Sequence, residues 1–80
     1  MQLPIINTLS GTAREDLLQD YLGVKKKLLE AADAMAGVWP HSRDYQGGGD
    51  INAAMREHAS RCKKLREIIA EIDVIAESLV

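Results

Sequence analysis

The apolar positions of this chain fall into two long stretches of helical spacing, separated by a run rich in glycine with one proline. In the second stretch Ile51, Met55, His58, Cys62, Leu65, Ile69, Ile72, Ala76 and Leu79 alternate in steps of four and three. That is an unbroken heptad seam, the pattern of a helix packed lengthwise on another helix. Ala54, Ile68 and Ile75 lie beside the seam and widen it, and Asp50 or Asn52 can cap its start.

In the first stretch Leu17, Tyr21, Val24, Leu28, Ala31 and Met35 follow the same alternation. A neighbouring stripe of Leu18, Leu22, Leu29, Ala32 and Ala36 is interrupted by Lys25. Two adjacent stripes make an apolar face too wide for one partner helix to cover. Thr12 and Glu15 have the spacing of a capping box, which starts the helix after Thr12 and puts Asp16 in its first turn. Gly37 and Pro40 end it.

These signals divide the chain into a lead-in over 1–11 and a helical hairpin over 12–80, with a helix at 13–37, a loop at 38–50 and a helix at 51–79. Leu3, Ile5, Ile6 and Leu9 give the lead-in an apolar side, so it either packs on a helix or frays. The predicted fold is all-α: an antiparallel two-helix hairpin that assembles into an oligomeric helical bundle. Two helices enclose no interior, so the outward stripes must meet another copy. A dimeric four-helix bundle is the simplest arrangement, and larger rings stay open.

Composition sharpens this picture. Eighty residues, 46% of them hydrophobic, allow one domain and argue against a disordered chain. Phe is absent, so the core must be aliphatic. A core this small supplies only ~3–5 kcal/mol and needs support. Cys62 is the sole cysteine, which rules out an internal disulfide and fits a reducing compartment. A metal or self-association remains as the support. Met1–Leu9 has no basic leader, and no apolar run reaches the ~20 residues that span a bilayer. The expectation is a cytoplasmic protein without a membrane partner.

Charge adds a question. The formal net charge is −2. A hairpin turning near residue 44 sets Lys25, Lys26 and Lys27 beside Arg61, Cys62 and Lys63, with Arg56, Lys64 and Arg66 near by, as a basic belt. It sets Glu15, Asp16 and Asp20 near Glu67, Glu71 and Asp73 as an acidic end. The second helix is then basic early and acidic late, the reverse of what its dipole favours. Either subunits pair belt with acidic end, or the belt attracts phosphates.

Candidate chemistry concentrates in the connection, which is longer than a hairpin needs. It holds Trp39, His41, Arg43, Asp44 and Tyr45. In one reading Trp39 and Tyr45 fold back to plug the bundle end, with Arg43–Asp44 a solvated turn. In the other the loop is a ligand site. Arg43 and Arg56 would then meet an anion, Tyr45 or Trp39 would stack on a ring, and His41 or His58 would donate a hydrogen bond. Gly47–Gly48–Gly49 lacks the context of a phosphate loop and reads as slack before the second helix. His58 and Cys62, four apart, have metal-ligand spacing, but two ligands are too few and both fall on the seam. A seam thiol is also shielded from nucleophilic work. No catalytic residues, metal or cofactor are therefore assigned.

The run Val38–Trp39–Pro40–His41–Ser42–Arg43–Asp44–Tyr45–Gln46–Gly47–Gly48, with Met55–Arg56–Glu57–His58 and the tail Glu71–Ile72–Asp73–Val74–Ile75–Ala76–Glu77, resembles short phage and prophage proteins. These carry a Pro-His-x-Arg-Asp-Tyr loop. The resemblance spans residues 38 to 80 and implies a non-enzymatic accessory protein of the host cytoplasm. Small oligomeric phage proteins often block host defence, by sequestering cyclic nucleotides or by occupying a host protein. On that analogy His41, Arg43, Asp44, Tyr45, Arg56 and His58 are the site.

Three functions follow from the sequence. The first is an anti-defence protein holding an anionic nucleotide between subunits. The second is an adaptor or inhibitor acting on a host protein through the apolar helix face. The third, least favoured, is a nucleic-acid binder using the belt.

Overall fold

The computed structural model describes residues 1–6 and 11–80, the side chains of Gly11 and Thr12 excepted. Two α-helices, α1 over Gly11–Gly37 and α2 over Ile51–Ser78, run antiparallel and pack along each other, joined by a connection containing a short 3-10 turn at Ser42–Tyr45. No strand occurs among the described residues. No described helix is long and apolar enough to cross a membrane.

Each end of α2 has a physical cause. Asp50 caps its start, Oδ1 accepting from the Ala53 amide at 3.1 Å. At its other end the Leu79 amide donates to the Ala76 carbonyl at 3.0 Å, and the Ser78 hydroxyl donates to the Ile75 carbonyl at 2.6 Å. α1 begins earlier than its capping-box pattern suggests. Gly11 is already helical, so Thr12 lies inside the helix. Glu15 and Asp16 fall beyond the first turn, which holds no acidic residue. The Thr12 hydroxyl and Leu9 lie outside the described residues. In the lead-in, Pro4 and Ile6 are half-buried whereas Ile5 is exposed.

The α2 seam turns inward as a heptad helix should. His58, Ala76 and Leu79 are buried, and Ile51, Cys62, Leu65, Ile69 and Ile72 are half-buried; Met55 is exposed. On α1 the inward row is Leu18, Tyr21, Lys25, Leu28, Ala32 and Met35. It draws on both stripes and accepts the lysine that seemed to interrupt one of them. Val24 and Ala31 are left outside. Lys25 is half-buried in this row while its ammonium reaches Asp73 at 2.6 Å, as a long side chain with an apolar stem can.

That ion pair also overturns the expected register. Lys25 meets Asp73, roughly ten residues or about 15 Å further along α2 than a hairpin turning at residue 44 would place it. α2 therefore overhangs the end of α1, and the connection runs back alongside it. The α1 lysines stand opposite the acidic part of α2, and Arg61, Lys63 and Lys64 stand opposite the last turns of α1. The basic belt is split in two, and the acidic end does not form. The reversed polarity of α2 is accounted for by complementarity to α1 within one chain.

The molecule is long and thin, 63 × 20 × 13 Å, with a radius of gyration of 18.2 Å. A compact chain of this length would have about 12 Å. Among the described residues only Ala76 and Leu79 are buried apolar side chains, while Leu22, Val24, Leu29, Val38, Trp39, Ile68 and Val74 are exposed. The hairpin thus has a seam but no enclosed core.

Candidate functional site

The overhang of α2 creates the most structured part of the surface. α1 ends at Gly37 and leaves its last carbonyls without helical partners. The Met35 carbonyl is taken up twice: the Val38 amide donates to it at 3.3 Å, and the His58 Nε2–H of α2 donates at 2.9 Å. This bond sets the tautomer of His58 and satisfies the one buried polar side chain of the described residues. The chain then folds Trp39 back so that its ring meets the His58 ring edge-on, with centroids 4.7 Å apart.

Two open clefts flank this junction, and Met35 lines both. The first, of about 350 Å³, is also lined by Val38, Pro40, Tyr45, Ala54, Glu57, His58 and Arg61. The second, of about 260 Å³, is formed by Ala32, Ala36, Trp39, Cys62, Leu65 and Arg66. The first mixes apolar walls with an opposed charge pair, Arg61 and Glu57, whose nearest atoms are 3.9 Å apart. The second is mainly apolar, with Arg66 at its edge.

The residues expected to form a ligand site are only partly brought together. Tyr45 and His58 share the first cleft, and Trp39 stands in the second. His41, Arg43, Asp44 and Arg56 are exposed and line neither. The reason lies in the 3-10 turn. His41 caps it, Nδ1 accepting from the Arg43 amide at 3.4 Å, while its carbonyl accepts from the Asp44 amide at 3.0 Å. This turn rotates Tyr45 inward and Arg43 and Asp44 outward. The cation of the first cleft is Arg61, assigned from sequence to the belt. Its spacing from Glu57 and His58, four and three residues, was the signal that all three share one face.

Two of these glycines, Gly48 and Gly49, are more than slack. Gly48 has φ +135°, a conformation that L side chains rarely adopt. A Cβ on Gly49 would stand 2.8 Å from Cδ1 of Tyr45, so the ring lies directly over this glycine. The His58–Cys62 pair also separates: His58 is committed to the Met35 carbonyl and lines the first cleft, while Cys62 is half-buried and lines the second. The thiol is thus less shielded than its seam position implied. No group of three metal-binding side chains gathers among the described residues.

No family model matches the chain, and no curated protein or solved structure matches it.

Proposed function

We propose that this protein is a non-enzymatic interaction module that works as a homo-oligomer and offers its apolar helix surface to protein partners. One observation carries the reading: an 8.8 kDa chain exposes 6076 Å². A compact protein of that mass would expose about 4,800 Å². Leu22, Val24, Leu29, Val38, Ile68 and Val74 are among the exposed side chains, and such surface marks association. The proposal includes an accessory role in which a host protein is the target. Sedimentation equilibrium and melting across a hundred-fold concentration range test the reading. Self-association makes Tm rise with concentration. A single species with constant Tm overturns it.

A second reading has its own support. Tyr45, His58 and Arg61 line one cleft, whose volume of about 350 Å³ falls in the range of small-ligand sites. In this reading the cleft holds a flat anionic ligand such as a nucleotide, with Arg61 on the phosphate and Tyr45 against the ring. A thermal-shift panel of linear and cyclic nucleotides tests it. A stabilising ligand should lose its effect in Arg61→Ala and keep it in Arg43→Ala, and a panel without any shift ends the idea.

A further inference from the structure

The two flanks of the hairpin differ. Heptad spacing puts Leu17, Val24 and Ala31 in one α1 row, which Val38 follows just past the helix end, and Ala54, Arg61, Ile68 and Ile75 in one α2 row. These rows share a flank, because Val38, Ala54 and Arg61 meet in the first cleft. The other flank pairs Leu22, Leu29 and Ala36 with Ala59, Arg66 and Asp73, and there Ala36 and Arg66 meet in the second cleft. Its α2 row carries two charges, Arg66 and Asp73, where that of the first flank carries Arg61 alone. On the first flank Val24, Ala31, Ile68 and Ile75 form an apolar strip on both helices, with Val24 44% and Ile68 46% exposed.

We infer that a second copy of the chain docks on this first flank, through Val24, Ala31, Ile68 and Ile75, about a two-fold axis running along the hairpin. The inference rests on the self-association proposed above and assigns its surface. Area is one argument. The chain exposes roughly 1,300 Å² more than a compact protein of its mass, and a standard interface removes about 800 Å² from each partner. Charge is the other. Two residues from the Lys25–Asp73 pair along each helix stand Lys27 and Glu71, at the same level and on the outer rim of the first flank. An axis along the hairpin lays α1 on the partner's α2 at matching level. Lys27, 3.5 Å from Glu30 within its own chain, then also faces the partner's Glu71 in each copy. The same axis brings both connections to one end and sets the two first clefts face to face. Tyr45, His58 and Arg61 of both copies would enclose one shared cavity.

Sedimentation velocity on the full chain at micromolar concentration tests this. The wild type should be dimeric. Ile68→Glu should dissociate it, and Leu29→Glu, on the opposite flank, should leave it intact. Lys27→Glu should weaken association about ten-fold, and adding Glu71→Lys should restore it. Both rim residues are exposed, so this pair decides the matter even if Ile68→Glu does not fold. A monomeric wild type removes the self-association reading itself. A dimer that Leu29→Glu breaks and Ile68→Glu tolerates, or a charge swap without restoration, overturns the surface assignment and leaves self-association standing.

Discussion

The indole of Trp39 stands at 89° to the imidazole of His58, and the same imidazole donates its Nε2–H to the Met35 carbonyl at 2.9 Å. One α2 side chain thus closes the end of α1 and anchors the first residues of the connection. His58 acts here as a helix-end clamp. Replacing it by Ala should cost about 2–3 kcal/mol, from the orphaned carbonyl, the lost ring contact and the void. Urea unfolding measures the loss. Because Trp39 is the only tryptophan, its emission in the folded variant should also move toward the red. A change under 0.5 kcal/mol, about the scale of a neutral surface substitution, would remove the clamp.

The Lys25–Asp73 pair marks the register but adds little stability. Both side chains are partly exposed, at 35% and 42%, so screening holds their coupling to about 0.2–1 kcal/mol. A double-mutant cycle with Lys25→Met and Asp73→Asn should return a coupling in that range, shrinking at 1 M salt. The same cycle on Lys25 and Lys63, the pairing that a turn at residue 44 predicts, should return none.

Gly49 should resist substitution for a reason that lies in Tyr45. Gly49→Ala sets a methyl group against the ring and should cost about 1–2 kcal/mol. In a Tyr45→Ala background the same change should cost much less, since the obstruction is gone. Gly48→Ala should be destabilising in both backgrounds, by about 1 kcal/mol, because its penalty is set by φ. Equal costs for Gly49→Ala in the two backgrounds would show that the ring does not crowd it.

Asp50 caps the start of α2, its Oδ1 accepting from the Ala53 amide. Asp50→Ala should lower stability by about 1 kcal/mol, and Asp50→Asn should recover most of it. Hydrogen exchange should localise the change to the first turn of α2. A loss spread evenly along the helix would point to a different role for the carboxylate.

The elements of this protein were written in its sequence because their signals are local. The alternation of Ile51 through Leu79 specifies a helix and its inward side whatever it packs against, and the Asp50 side chain marks the start of that helix by a bond three residues away. The register was not local. A heptad seam repeats every seven residues, so one helix can slide a repeat along the other and still bury an equivalent row. Packing at the loop end, with His58 on the Met35 carbonyl and Trp39 on His58, chose among these alternatives. That choice put Lys25 opposite Asp73, split the basic belt and moved Arg61 to the cleft beside Tyr45. Sequence thus determined that there are two rods with more apolar surface than one pairing can cover, and tertiary structure decided which charges meet and which side chains share a site.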